Sequence, residues 1–427
     1  MSITQQKPGI VYAWLTIALL FTSFCLSCEH GREFEKMEGY PVPLNVAEKA
    51  KDSFELIASD SLRMEVDRTT KNVAYMEQVK VLGQDTLYFF YNPGNHNIQY
   101  YNLNTGMKEG TIQLSSDGPN GVPDLTGFYV HNLDSVLFVS YMPSRIYLVN
   151  RQGELTKKWN FTEGTKSLKP ELTTEYFYEL TYNAEKNAIN AWFHHPQILI
   201  QEKDYYLRKG ICIEVYLDSL DDYKIFGVFP ENYTQGDGIY DFYSEIGGYL
   251  TPKYHVINFM GSHEVHLYDR ESKKMVKRLK LKSEFASESI SPSRKIGQKE
   301  LDIRKQDEYM TTTPGYMKMM HNEDFSLHYR ILKHGVSFRI GDKKRHFFNK
   351  PFSVAVYDSE FRLLTEKEFP GGTYDYYNSF AHGDKFYLSL NNELNEINDE
   401  DYMLFEIYTL VNESLAGNLN GVSNAGD

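Results

Sequence analysis

Gly127-Phe-Tyr-Val-His131, Val136-Leu-Phe-Val-Ser140, Arg145-Ile-Tyr-Leu-Val149 and Glu154-Leu-Thr-Lys-Lys-Trp159 are four short runs rich in β-branched and aromatic residues. Asn132-Leu-Asp-Ser135, Met142-Pro-Ser144 and Gln152-Gly153 separate them with turn formers. This spacing predicts four antiparallel strands in a meander. A lone meander leaves a sheet face uncovered, so its recurrence along the chain decides the architecture.

The same order precedes it in Ala74 to Leu82, Thr86 to Tyr91, Asn97 to Asn102 and Met107 to Leu114. It follows in residues 176 to 229, with a long excursion after Trp192, and in 242 to 282 through Tyr254 to Met260 and His263 to Asp269. A fifth unit spans about 317 to 369, ending in Phe352 to Tyr357 and Phe361 to Phe369. The sixth, with Phe380, Lys385 to Leu390 and Tyr402 to Val411, lacks a fourth strand. Phe54 to Val66, which holds Leu62-Arg-Met-Glu-Val66, is the ready donor. The reading is an all-β, six-bladed β-propeller of four-stranded antiparallel blades, closed by an N-terminal strand and carrying one partly helical insertion; such closure removes the open sheet edge. The propeller is expected over 51–415, with the insertion at about 283–325 and a polar tail at 416–427. Within the insertion, Gln298 to Met310 lacks Gly and Pro and reads as a helix.

In such a blade the first-to-second and third-to-fourth turns emerge on one face, and here they are short. Length accumulates on the opposite face, in His194 to Arg208, Pro230 to Asp241, Ser283 to Pro314, Gly335 to Lys350 and Asn391 to Asp401. Long loops on a rigid scaffold commonly carry binding, so this face is the expected working surface. Its inter-blade connectors hold Asp117-Gly-Pro-Asn-Gly121, Gln235-Gly-Asp-Gly-Ile-Tyr-Asp241 and Gly371-Gly-Thr-Tyr-Asp-Tyr-Tyr377. Gly, Asp and Asn are turn formers first. Their convergence on one opening nominates Asp117, Asn120, Asp237, Asp241, Asp375, Tyr376 and Tyr377 as polar and stacking ligand contacts.

The chain begins with an uncharged apolar run of 14 residues, Val11 to Phe24, after Lys7 and before Leu26-Ser27-Cys28. That run is shorter than the roughly 20 residues of a membrane-spanning helix. Residues 1–27 therefore read as a cleaved lipoprotein signal peptide, Cys28 as the lipidated residue, and 28–50 as a tether. The expected location is exported and membrane-anchored, on the outer-membrane, periplasmic or cell-surface side. Removing 1–27 takes one Lys and no acid from 45 basic and 58 acidic residues, moving the net charge from −13 to −14. That balance disfavours nucleic acid and anionic lipid head groups as partners. The basic run Lys273 to Lys282 reads as a lysine-protected sheet edge. Of three cysteines, Cys25 leaves with the signal and Cys212 is left without an intrachain partner once Cys28 is acylated, so the core alone must hold the fold.

Tests for chemistry return little. His194-His195 point to opposite faces of a strand, and His255, His263 and His266 lack zinc spacing. Asn395 to Asp401 lacks the glycine turn of a calcium loop. No nucleophile elbow, phosphate loop or dinucleotide fingerprint occurs. Glu175 and Glu179 are a carboxylate pair of undefined separation. No catalytic residue, metal ligand or cofactor is assigned.

The run Ser115-Ser-Asp-Gly-Pro-Asn-Gly-Val122, with Gly127-Phe, Leu133-Asp-Ser135 and Arg145-Ile-Tyr-Leu-Val-Asn-Arg-Gln-Gly153, resembles a domain-of-unknown-function family of uncharacterised bacterial lipoproteins. The likeness extends to the pair Tyr329-Arg330, which adds Arg330 to the candidate ligand contacts. It implies a six-bladed, TolB-like propeller at an outer membrane or cell surface and carries no catalytic residues. The expected function is a lipid-anchored binding module using the long-loop face to hold an envelope protein, peptide or glycan. The alternatives are a saccharide-acting hydrolase or lyase with its site in the central funnel, and a structural role in an envelope complex.

Overall fold

Strands whose two faces are both covered read as continuous apolar runs rather than as alternating ones. The middle strands of each repeat do this, as in Asp85–Asn92 and Asn97–Asn102, whose Leu87 to Tyr91 and Ile98 to Tyr101 are buried. The outermost strands, such as Lys108–Gln113, keep one exposed side. The computed structural model explains the difference, because its sheets are blades packed face to face. It describes residues 37–74, 76–123, 125–140, 144–161, 171–173, 179–194, 199–286, 290–322 and 324–412. The signal segment with Cys28, the tether as far as Lys36, Glu175, His195 and the tail lie outside the described residues.

Six antiparallel blades follow one another along the chain. Their innermost strands are Glu77–Leu82, Leu125–Asn132, Thr181–Asn183, Ile246–Leu250, Gly315–Asn322 and Asp375–His382. In the third blade Glu171–Thr173 also pairs with Ala188–His194. The ring closes as the sequence requires. Phe54–Glu65 pairs along Tyr402–Asn412, from Phe54 opposite Asn412 to Glu65 opposite Tyr402, and becomes the outer strand of the sixth blade.

The core lies between blades. Phe89, Tyr100 and Ile112 of the first pack on Phe128, Phe138 and Tyr147 of the second. Leu62 and Met64 of the closing strand, with Phe380 and Phe405, pack on Tyr88 and Tyr101 of the first. Two outer turns carry glycines that no other residue could replace without movement. Gly106 (φ +71°) and Gly153 (φ +82°) occupy the same turn in successive blades, each pressed on the backbone of the preceding blade's outer strand at Arg63 and Gln113.

Two expectations need correction. The span read as tether is packed from Met37 onward: Met37 N–H donates to the Leu207 carbonyl, and Tyr40 hydroxyl to the Phe229 carbonyl at 2.8 Å. Leu44–Val46 then adds in parallel to Arg278–Lys280 of the fourth blade, and Leu363 of the fifth bridges to Lys49. The supposedly protected edge is thus covered by the chain's own strap. Two of its cations are buried, Lys273 against Glu214 at 2.6 Å and Arg278 against Glu264 at 2.8 Å, with Tyr40 lying over the Arg278 guanidinium. The helix of the insertion is Ile303–Thr312, capped by Asp302 accepting from Lys305 N–H. Among the described residues no helix is long and apolar enough to cross a membrane.

Candidate functional site

Six innermost strands around one axis enclose a cavity of about 1110 Å³. Its inner end lies at the level of Glu77, Glu179, Glu245 and Lys318; its outer end reaches the short turns at Thr251, Arg270, Asp324 and His382. Val81 is 60 % exposed there and the Asp324 side chain 59 % exposed, so the cavity opens on the short-turn face; the exposed Pro93, in the second-to-third-strand turn of the first blade, also lines it. Toward the long-loop end, Gly315–Met317 and Asp375–Asn378 precede Lys318 and Ser379 on the same strands without lining the cavity. Tyr316 and Tyr376 are buried at that level.

At the inner end Lys318 Nζ lies 2.5 Å from Glu77 Oε1 and donates to the carbonyls of Tyr377 (3.1 Å) and Ser379 (2.7 Å). These bonds use the three donors of an ammonium. Burial pushes the Glu77 carboxyl upward, Lys318 opposes it, and Asp375 and Glu179 push the same way as burial. Glu77 thus pairs with a saturated cation while Glu179 and Glu245 line the same end, an excess of carboxylates that favours a ligand bearing a positive or hydroxyl-rich end.

Midway, His321 lies parallel to Tyr249, with ring centroids 5.6 Å apart, and stacks on His328 at 4.8 Å. The Tyr249 hydroxyl and His328 Nδ1 are 2.8 Å apart. Burial holds His321 down to about 4 and His328 to about 3, so both rings are neutral near pH 7. Near the mouth Lys80 Nζ sits 4.0 Å over the Tyr129 ring, and Tyr182 packs against Tyr129 and His131 at 6.2 and 5.5 Å. Aromatic faces beside hydroxyls, amides and charges are the usual lining of a site for polar ligands. Among the described residues no group of three or more His, Cys, Asp or Glu is arranged to hold a metal.

The residues nominated from sequence lie elsewhere. Asp117 and Asn120 are exposed in a self-bonded turn in which Val122 N–H donates to Ser115. Asp237 is an exposed partner of Lys295 at 3.6 Å, whereas Asp241 is held by Arg294 at 3.0 Å and by Ser293. This pair, with Gly238–Ile239 paired to Arg294–Lys295, pins the insertion. Asp375, Tyr376 and Tyr377 do come together beneath the cavity floor, where Asp375 accepts from Tyr377 N–H and Asn378. The rings of Tyr376 and Tyr377 are 4.3 Å apart. Arg330 is buried between the fourth and fifth blades, its donors spent on Asn258 and on the carbonyls of Ser262, His263 and Leu281.

The long loops themselves pack on one another. Tyr206, Phe229, Tyr233 and Tyr240 form one aromatic cluster, and Tyr243 meets Tyr309 of the insertion helix at 5.4 Å. Lys350 Nζ caps that helix through the Met310 and Thr313 carbonyls at 2.7 and 2.8 Å. Sequence reasoning missed Glu77, Glu245 and Lys318. The available clue was that Glu77, Glu179 and Glu245 recur at, or within two residues before, the start of innermost strands in three repeats.

Fold and cavity together define a closed six-bladed propeller with an axial chamber. The chain belongs to the DUF4221 family, a domain of unknown function, whose family model matches residues 53–368. A DUF4221 member from Bacteroides vulgatus is similar over 85 % of this chain and 100 % of its own, with a TM-score of 0.71 and 22 % identity. An exported protein from Bacteroides fragilis matches over 86 % of this chain and 98 % of its own, with a TM-score of 0.48 and 12 % identity. No curated protein matches the chain.

Proposed function

We propose that this propeller is a lipid-anchored binding module whose ligand enters the axial chamber from the short-turn face. The chamber carries the reading: a volume of about 1110 Å³, an aromatic rim, and an inner end lined by Glu77, Glu179 and Glu245, with Glu77 paired to one saturated ammonium. Such a lining suits a glycan or peptide segment with a hydroxyl-rich or amine-bearing end and repels polyanions. The long-loop face is the less favoured surface for this ligand, because Tyr206, Phe229, Tyr233, Tyr240 and Tyr243 are buried in mutual packing. A saccharide-cleaving reading draws on Glu77, whose raised carboxyl is the kind that donates a proton, with Glu179 in the same chamber.

The melting temperature of residues 29–427 against neutral and amino-sugar oligosaccharides and basic, neutral and acidic peptides tests the proposal. A ligand at about 100 times its dissociation constant adds about 2.7 kcal/mol. That shift should vanish in Tyr182→Ala or Lys318→Gln; a shift surviving both changes places the ligand outside the chamber and sinks this reading. Time-dependent product release, abolished by Glu77→Gln, would favour the enzyme.

The anchor is tested separately. Cys28→Ser should move the protein from the membrane to the soluble fraction, since two acyl chains supply the stable hold; continued membrane retention would refute lipidation.

A further inference from the structure

The loop between the second and third strands of the fifth blade carries a small hairpin, Arg339–Ile340 paired with Lys343–Lys344, that stands exposed at the long-loop end. Its sequence Arg339-Ile-Gly-Asp-Lys-Lys-Arg-His346 holds four full cations and one acid in a chain of net charge −13. Among the described residues, Arg339, Lys343, Lys344 and Arg345 have no carboxylate within ion-pair distance, whereas the buried and part-buried cations Lys273, Arg278, Arg294 and Lys318 are each paired. Lys344, Arg345 and His346, with Asn349, also line a recess of about 410 Å³ that no acidic residue enters. Ile340 at the hairpin turn is 57 % exposed, and Phe348, in the turn that follows the hairpin, is 55 % exposed.

Unpaired cations around a recess select anions, and exposed apolar side chains set among them suit a lipid interface. We propose that this hairpin docks the propeller on an anionic membrane surface, with phosphate head groups at Lys343, Lys344 and Arg345 and with Ile340 and Phe348 entering the interface. The overall negative charge does not forbid this, because charges beyond about 8 Å are screened at physiological salt. The exclusion of anionic lipid drawn from net charge alone is therefore lifted for this one surface.

A second observation agrees, and it rests on the lipid-anchor reading. Met37, the first of the described residues, is bonded to Leu207 in another loop of the same long-loop end. Eight residues separate it from Cys28, so the anchor lies within about 30 Å of that end. Anchor and hairpin would thus face the same bilayer, leaving the chamber mouth turned away from it.

The test uses residues 29–427, which retain every described residue and no acyl chain, in sedimentation with vesicles. Binding is expected to vesicles of about one-third phosphatidylglycerol in phosphatidylcholine and not to phosphatidylcholine alone, and to fall steeply as salt rises from about 0.1 to about 0.5 M. Each cation near the surface is worth about fivefold, so Lys343→Gln, Lys344→Gln and Arg345→Gln together should weaken binding about 100-fold. Ile340→Asp should weaken it as well, and a melting curve like the parent's shows that the variants fold. Absence of binding, equal binding to both vesicles, or a triple variant that binds like the parent overturns the proposal. So does binding to an acidic polysaccharide in solution that is as tight as to vesicles and indifferent to Ile340→Asp. Cys28 takes no part in this measurement, so its failure leaves the lipidation reading standing.

Discussion

Arg330→Met is expected to lower the unfolding free energy by about 3–5 kcal/mol while leaving the short-turn mouth of the chamber unchanged. The guanidinium donates from Nε to Asn258 Oδ1 at 2.8 Å and from its two Nη atoms to the carbonyls of His263, Leu281 and Ser262 at 2.8 to 3.1 Å. It also lies 3.5 Å from the centre of the Tyr316 ring. Methionine fills much of the volume and supplies no donor, so several buried acceptors lose their partner in a place water does not reach. Lysine keeps the charge without the planar fork and should recover only part of the loss. Urea unfolding checks this as a fall in midpoint at constant slope. A variant within about 1 kcal/mol of the parent would contradict the role of Arg330 as the strut between the fourth and fifth blades.

Removing the closing strand should have a still larger effect. A chain beginning at Asp67 leaves Tyr402–Asn412 with an unpaired edge and uncovers Tyr88, Tyr101, Phe380 and Phe405 where Leu62 and Met64 had packed. Buried aliphatic side chains contribute about 1.5–3 kcal/mol each, and three of those lost, Leu56, Leu62 and Met64, are nearly or wholly buried. Such a loss is comparable with the whole stability of a domain. The expected result is aggregation through the open edge, or a broad transition in place of a cooperative one. A synthetic peptide covering Met37 to Val66, which returns the strap as well as the closing strand, should restore the sharp transition when added in trans. A truncated chain that melts cooperatively without the peptide would mean that the ring does not depend on this seam.

How much of this was legible in the sequence follows from where each feature's information resides. The strands of the second blade, the closing segment and the helix in the insertion are written in local periodicity and turn residues, so Gly127 to Trp159 and Leu62 to Val66 could be placed before any coordinates. The strap was misread because Tyr40, Leu44 and Val46 sit among Pro, Gly and acidic residues. Only the presence of Arg278 and Phe229 beneath gives Tyr40 its place.

The functional assignments depended on contacts between distant parts of the chain. Asp241 and Arg294 are 53 positions apart, and Glu77 and Lys318 are 241 apart. No spacing rule connects such pairs. Loop length pointed to the long-loop face, yet loops long enough to bind a ligand are also long enough to pack on one another, and the aromatic residues of 199–245 do so.

By itself, then, the sequence determined the repeat, the number of blades, the strand that closes them and the acidic overall charge, because each is a property of neighbouring residues or of their sum. The tertiary structure alone decided which end of the axis opens, which carboxylates meet Lys318, and that Arg330 serves the frame. Each of those depends on ring closure bringing together side chains from different blades, with packing then deciding where along the axis space is left.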